Sequence, residues 1–137
     1  MNVYFATNTK QMLIGNFFEL REVSITEKGW DFQLSFNPEH ESYAGHFPDK
    51  PVVPGVCITQ VLVECLTQSN GNQVILKHAH IIKFLNLVSP TANCTWHMHV
   101  QRLGTDTELK FISAELTDGV TPYFRFRGEV TAVNTTL

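Results

Sequence analysis

Residues 30–36, WDFQLSF, alternate without a break between apolar and polar side chains. A period of two places the apolar side chains on one face of an extended strand. The preceding run, Met12–Val23, is rich in β-branched and aromatic residues, and Glu27–Gly29 supplies a turn between the two runs. The two runs therefore predict a β-hairpin. The segment that follows, Asn37–Tyr43, is polar, aperiodic and contains a proline, which predicts a surface loop.

A different pattern begins at Gly55, where apolar residues cover most of a helical wheel. This distribution is typical of a helix that is buried on most sides. Gln60, Glu64 and Gln68 recur at intervals of four and form one narrow polar stripe. We expect a helix from about Gly55 to Gln68, ended by the glycine at position 71.

Four further runs with strand character follow the helix and are separated by short turns, which predicts an antiparallel meander. Together with the hairpin they give a sheet of about six strands. The chain is thus predicted to be a single α+β domain over residues 1–137, with one central helix wrapped by an antiparallel sheet. The four runs are Val74–Leu87, Thr95–Leu103, Glu108–Leu116 and Tyr123–Val133.

Composition narrows the possible partners and location. The chain has 137 residues, of which 43% are hydrophobic and 17% charged, and its formal net charge is −3. The low charge content favours an oligomer, and the lack of any Lys and Arg cluster argues against a nucleic-acid partner. No apolar run approaches the ~20 residues of a membrane span, and the N-terminus lacks the basic start of a signal peptide, which predicts a cytoplasmic protein. Three cysteines, an odd number, are typical of reduced thiols rather than a disulfide framework.

The segment between the hairpin and the helix combines a histidine with a stiff backbone. His46 is followed by prolines at positions 48, 51 and 54, which fix φ and disfavour helix in the residues before them. Histidine titrates near neutrality, and a rigid mount suits a general base. The first N–H groups of the helix, beginning at Gly55, lack internal acceptors and can hold a carbonyl oxygen that becomes negative during a reaction. A thioester carbonyl bound there would have its α-carbon near His46.

The sequence from Gly45 to Val56, GHFPDKPVVPGV, resembles the signature of the β-hydroxyacyl-(acyl carrier protein) dehydratases of the hot-dog fold. The resemblance extends over roughly residues 13–133. It implies a cofactor-independent elimination of water from a β-hydroxyacyl thioester in fatty-acid or polyketide-type synthesis. The acyl chain would be carried by acyl carrier protein or CoA.

The resemblance also implies roles for particular residues. His46 would remove the α-proton, and Gly55 would bind the thioester carbonyl through its N–H, with Val56 and Phe47 as further substrate contacts. Members of the superfamily pair, with the histidine of one subunit facing the helix of the other. A homodimer or a dimer-based oligomer with two composite sites is therefore implied.

The helix departs from the family pattern at one position. The family's second catalytic group is a Glu or Asp fourteen residues after the histidine, and this chain has Gln60 there, with Glu64 where Gln is typical. A carboxamide cannot protonate a leaving hydroxyl group, whereas a carboxylic acid can. Three interpretations stay open. Glu64 supplies the acid from about 6 Å further along the helix axis; His46 is both base and acid while Gln60 positions the hydroxyl; or the site binds acyl thioesters without eliminating water.

Two other functions fit the same residues. A carboxylate that activates water would make the protein an acyl thioesterase, which would release a thiol without an enoyl product. A site that lacks a proton donor would make it a non-catalytic acyl-binding protein or the partner subunit of an active dehydratase.

Metal and covalent chemistry are disfavoured. His78 with His80, and His97 with His99, each share a strand face and could bind a metal ion with His40 in reserve, but no acidic ligand is spaced convincingly near them, so we predict no metal site. Cys57 lies in the first turn of the helix, where the dipole can lower a thiol pKa, yet core packing is its expected role.

Overall fold

The computed structural model describes residues 12–43, 50–104 and 109–133. Within them the chain forms six β-strands, one long α-helix and a 3-10 turn at Glu41–Tyr43. The strands are β1 (Phe18–Ile25), β2 (Gly29–Phe36), β3 (Val74–Phe84), β4 (Trp96–Arg102), β5 (Phe111–Thr117) and β6 (Pro122–Ala132), and helix α1 spans Gly55–Asn70. Glu108, the predicted first residue of β5, lies outside the described residues.

The strands form one antiparallel sheet in the order β1-β2-β4-β5-β6-β3. This confirms the predicted α+β architecture of one helix with six strands. The predicted four-strand meander is wrong, because only β4, β5 and β6 are successive neighbours. β3 pairs with β6 at the edge of the sheet instead of pairing with β4. The connection 85–95 passes two strands to reach β4, about 14 Å at the usual strand spacing, which a segment of that length can span.

The helix packs against one face of this sheet. Buried side chains alternate with more exposed ones along most of β2, β4, β5 and β6, so the buried ones gather on the face toward α1. The helix is buried on most sides, as predicted, and Gly71 ends it in the left-handed region with φ 84°, donating its N–H to the Thr67 carbonyl oxygen. The sheet residues of the shared core include Phe32, Leu34, Met98, Val100, Leu116, Phe124 and Phe126.

The predicted first strand, Met12–Val23, begins only at Phe18. Residues 13–17 form a tight turn in which the Phe17 N–H donates to the Leu13 carbonyl oxygen at 2.7 Å. The N–H groups of Leu13 and Ile14 are bound by a side chain of α1, so they are not available to a neighbouring strand. This contact explains why an apolar run is a turn here.

The apolar core extends to the surface along β3, which is one edge of the sheet. Ile82 and Phe84 pair with Phe126 and Phe124, and so lie on the core side of the sheet. They are nevertheless 39% and 54% exposed. We call β3 with the following Leu85 the apolar edge. No helix in the described ranges is long and apolar enough to cross a membrane.

Candidate active site

His46 and Phe47 lie outside the described residues, so their roles as base and substrate contact stay predictions. The chain that leads from them to the helix is described from Lys50. Val53 donates its N–H to the Val88 carbonyl oxygen at 2.9 Å, and Pro54 is extended, with φ −62° and ψ 143°. The extended approach to the helix that the prolines predict is confirmed at Pro54.

The helix α1 begins at Gly55 without a side-chain cap. The Pro54 carbonyl oxygen accepts the N–H groups of Cys57 at 3.0 Å and Ile58 at 3.2 Å. The N–H groups of Gly55 and Val56 have no acceptor in the part of the chain that the structure describes. They lie at the positive end of the helix dipole. Because Val56 is 37% exposed, a ligand oxygen can approach them from outside.

An aromatic ring from the apolar edge covers the first residue of α1. A Cβ atom at Gly55 would lie 2.8 Å from two ring carbons of Phe84. The same ring contacts Phe124, with 5.6 Å between ring centroids. Glycine at position 55 therefore makes room for Phe84 beside the two N–H groups. Sequence reasoning misses Phe84, because nothing in the pattern of a strand shows which helix residue its side chain meets.

Glu64 is almost completely buried, with 1% of its surface exposed. Its Oε2 accepts the N–H of Leu13 at 2.9 Å, and its Oε1 accepts the N–H of Ile14 at 2.8 Å. The Nε2 of Gln60 donates a third hydrogen bond, to Oε2, at 2.9 Å. All three partners are donors, which suits an ionised carboxylate because that group can only accept. Both oxygens are thus engaged in holding the turn before β1 and the neighbouring glutamine.

Gln60 lies one turn nearer the start of α1 and is 9% exposed. Its carboxamide has one orientation, because only Nε2 can donate to the Glu64 carboxylate. Oε1 then faces away from Glu64, and among the described residues the side chain makes no other hydrogen bond. Gln60 therefore offers a fixed hydrogen-bond acceptor rather than an acid.

Comparison with protein families assigns the chain to a known group. A model of ApeI-like proteins, described as ApeI dehydratase, matches residues 22–121, a range that includes His46, Gly55, Gln60 and Glu64. The chain belongs to the ApeI-like dehydratase family. The dehydratase expected from the Gly45–Val56 signature is confirmed at this level, and the exchange of Gln60 and Glu64 remains a prediction.

The ApeI-like chain also has the fold of a solved structure, the dehydratase heterocomplex ApeI:P from Xenorhabdus doucetiae. The two share 16% sequence identity, with a TM-score of 0.63, over 82% of this chain and 96% of that chain. At 16% sequence identity the comparison gives information about the fold alone. The structural similarity confirms the predicted hot-dog fold. A comparison with curated proteins finds no match.

The cysteines of this ApeI-like protein are poorly suited to nucleophilic catalysis. Burial raises the pKa of Cys57 to about 11, and the negative Glu64 adds to the rise. The lowering expected from the helix dipole does not prevail, and the thiol stays protonated at neutral pH. Cys65 is also buried, and burial followed by Glu64 raises its pKa. Cys57 and Cys65 are therefore not expected to act as nucleophiles.

Tyr43 is a second residue that sequence reasoning misses, because it ends a segment predicted to be a surface loop. The residue is buried, and its ring centroid lies 5.8 Å from that of Phe17. Burial raises the pKa of its hydroxyl, which has no hydrogen-bond partner within the described ranges. The signal for its burial is a large aromatic residue at the end of an otherwise polar stretch.

A cavity of about 500 Å³ lies on the other face of the sheet. Its lining includes Lys83, Glu115, Arg125 and Arg127, whose strands turn these side chains away from α1. The cavity is therefore separated by the sheet from Gly55 and Gln60, and we do not assign the thioester to it.

Proposed function

We propose that this ApeI-like protein eliminates water from β-hydroxyacyl thioesters carried by an acyl carrier protein, in fatty-acid or polyketide-type synthesis. The observation that carries the proposal is the uncapped start of α1, where the N–H groups of Gly55 and Val56 lack acceptors among the described residues. Family membership supports the reaction class. The Gly45–Val56 signature supports the thioester substrate.

The first step is removal of the α-proton. The thioester carbonyl oxygen accepts the N–H groups of Gly55 and Val56, and His46 takes the proton from the α-carbon. Negative charge then develops on the carbonyl oxygen, where the two donors and the helix dipole stabilise it. This step needs no metal ion and no cofactor.

The second step is loss of the β-hydroxyl group. Gln60 accepts a hydrogen bond from this hydroxyl at Oε1, in the orientation that its contact with Glu64 fixes. The electron pair at the α-carbon forms the double bond as the bond from the β-carbon to oxygen breaks. His46 returns its proton to the departing hydroxyl, which leaves as water. Glu64 is a positioning residue in this scheme, since its carboxylate oxygens are already bound by three N–H donors.

The active unit in this proposal is a pair of chains joined along the apolar edge. Ile82, Phe84 and Leu85 are between 39% and 54% exposed although two of them lie on the core side of the sheet. An unpaired apolar edge strand is a site for pairing with another strand. Because Phe84 also covers Gly55, a partner on this edge lies beside the start of α1. A second copy of this chain is the proposed partner.

The test measures enoyl absorbance from β-hydroxyacyl carrier substrates. We expect His46→Ala to lose at least about a hundredfold in rate, as is usual when a general base is removed. The control is His40→Asn, which removes another histidine but keeps an acceptor for the Ser42 N–H that His40 Nδ1 binds at 3.1 Å. Equal rates for wild type and His46→Ala would exclude the mechanism. Release of thiol without enoyl product would identify a thioesterase.

Two observations favour a second candidate function, that of a partner subunit. Gln60 stands where the dehydratase family has its acid, and the similar solved structure is described as a heterocomplex. Under this alternative the purified chain binds acyl thioesters saturably but produces no enoyl product. Activity that appears only when a second, acid-containing dehydratase chain is added would select it.

A further inference from the structure

The outer face of the sheet holds a cluster of metal-ligating side chains that the dehydratase proposal does not use. His97 and His99 alternate along β4 with the buried Trp96, Met98 and Val100, so both imidazoles lie on the face opposite α1. Asp31 pairs with His99 across β2 and β4. We propose that Asp31, His97 and His99 bind a divalent transition-metal ion of the Zn²⁺ type.

The distances between the ligand atoms fit such an ion. Oδ1 of Asp31 lies 3.3 Å from Nδ1 of His97 and 3.1 Å from Nδ1 of His99. All three ligand atoms lie within 4.8 Å of one another. Ligands that bind Zn²⁺ at about 2.0–2.1 Å in a tetrahedron are about 3.3 Å apart. A metal ion can therefore take its place among these atoms with small side-chain movements and no change of backbone.

The donor set determines the class of metal. Two imidazole nitrogens and one carboxylate oxygen are typical ligands of Zn²⁺ and its neighbours in the transition series. Mg²⁺ and Ca²⁺ prefer oxygen ligands and are not expected. The side chain of His99 is 49% exposed, which leaves the remaining coordination position open to solvent.

Asp31 is the ligand that the sequence does not reveal. It lies 66 residues before His97 and becomes its neighbour only through the pairing of β2 with β4. The strand on the other side of His99 brings Glu115, but that carboxylate is paired with Arg125 at 2.9 Å. Asp31 is thus the carboxylate of the cluster that contacts both imidazoles.

The chain contains an internal comparison. His78 and His80 on β3 form the same His-x-His pattern, with ring centroids 4.4 Å apart. Within the described residues, only the β4 pair has a carboxylate placed as a third ligand. The two histidine pairs therefore differ in the presence of a nearby carboxylate, and we attribute selective metal binding to that carboxylate.

The experiment titrates Zn²⁺ into the untagged full-length protein by calorimetry, after removal of bound metal with a chelator. We expect one Zn²⁺ per chain, a rise in thermal unfolding temperature with Zn²⁺, and at least about a tenfold loss of affinity in Asp31→Asn. His97→Gln/His99→Gln should abolish this binding, and the control His78→Gln/His80→Gln should keep it. The unfolding temperatures of all variants without metal provide the check on folding.

A second measurement does not depend on variants. Co²⁺ bound to wild type should give the intense visible absorption of a four-coordinate site, and added Zn²⁺ should displace it. No saturable binding to wild type, equal affinity in Asp31→Asn, or loss of binding in the β3 control would overturn the proposal.

Discussion

Glu64 places a charge in the core, and the three N–H groups around it make that position tolerable. A buried carboxylate is costly unless hydrogen bonds replace the water that it loses. The backbone of Leu13 and Ile14 and the side chain of Gln60 supply those bonds. A hydrogen bond to a charged group contributes about 1.5–3 kcal/mol. The same contacts satisfy two backbone donors that the turn before β1 does not satisfy itself.

The residue scale yields a prediction about Glu64. We expect Glu64→Gln to lower the free energy of unfolding by about 2–3 kcal/mol, because the new amide group must face at least one N–H donor. Urea unfolding followed by circular dichroism measures this change. Gln68→Ala, at the exposed end of the same stripe, is the control and should change stability little. Unchanged stability together with lost dehydration would instead identify Glu64 as a proton donor.

Gln60 gives a second prediction. Gln60→Glu should lower both stability and dehydration rate, because it places a carboxylate at the 2.9 Å separation where Gln60 now contacts Glu64, and two such groups do not both stay ionised. The double variant Gln60→Glu/Glu64→Gln has the residue order of the β-hydroxyacyl dehydratases. It should recover part of the stability, because one carboxylate again remains. A rate above wild type in Gln60→Glu would contradict the positioning role of Gln60.

The placement of Gln60 and Glu64 on one face of α1 can be predicted from the sequence, but their partners cannot. Gln60 and Glu64 are one helical turn apart, and this spacing alone is enough to place both on one helix face. The Leu13 amide that binds Glu64 lies 51 residues earlier, and no local pattern encodes a contact of that range. The ring of Phe84 over Gly55 is hidden for the same reason. Contacts between residues that are far apart in the sequence depend on tertiary packing and could not be predicted from local sequence patterns.

Among the secondary-structure elements, the strands follow from local pattern and their order does not. The alternation at 30–36 predicts β2, because the period of two belongs to the strand itself. β3 and β4 both resemble members of one meander, yet β3 lies beyond β6. The order depends on which edges meet after each strand has formed, and the length of the connection 85–95 permits either arrangement.

The carboxylate of Asp118 makes most of the side-chain hydrogen bonds in the turn between β5 and β6. Oδ1 of Asp118 accepts the N–H of Thr121 at 2.7 Å and that of Val120 at 2.9 Å. Its Oδ2 accepts the hydroxyl of Tyr123 at 3.0 Å. These hydrogen bonds, with the Thr121 N–H first, hold the pKa of Asp118 below its ordinary value. The ionised form is thus the one that the turn favours.

This turn gives a pH-dependent prediction. A carboxyl group with a lowered pKa in the folded state stabilises the fold above its unfolded pKa, about 3.9, and loses that contribution as the pH falls through the folded value. Asp118→Asn should therefore be less stable than wild type at about pH 7, and the difference should shrink below about pH 4. Thermal unfolding across this range measures it. Glu39→Gln is the surface control, and a difference that grows on acidification would contradict the assignment.

At the scale of the whole molecule, the apolar edge and the start of α1 belong to one surface. The opposite edge of the sheet, β1, has Glu19, Arg21 and Glu22 and a bulge between Leu20 and Glu22, which are features that discourage pairing. The edge formed by β3 exposes Ile81, Ile82 and Phe84, whereas the exposed Val23 and Ile25 of β1 lie on the strand that has the charges and the bulge. The proposed pairing of two chains is therefore assigned to the β3 edge.

The corresponding prediction compares two isoleucines at opposite edges. Ile82→Asp on β3 should convert the dimer to a monomer and reduce dehydration, because a charge would be buried in the interface. Ile25→Asp on β1 changes a residue that is 76% exposed and should leave the oligomeric state unchanged. Light scattering after size-exclusion chromatography reports the mass of each variant. A monomeric wild type, or a dimeric Ile82→Asp, would reject this interface.

The hydrogen bonds of Glu64 also constrain the order in which the protein can fold. They join residues 50 and 51 positions apart, so they close a long loop of chain. Closing such a loop costs chain entropy before the hydrogen bonds form. Leu13 and Ile14 are synthesised well before Glu64. Until their N–H groups bind the Glu64 carboxylate, that carboxylate must remain hydrated. We therefore expect α1 to be fully buried only after Leu13 and Ile14 have packed against it.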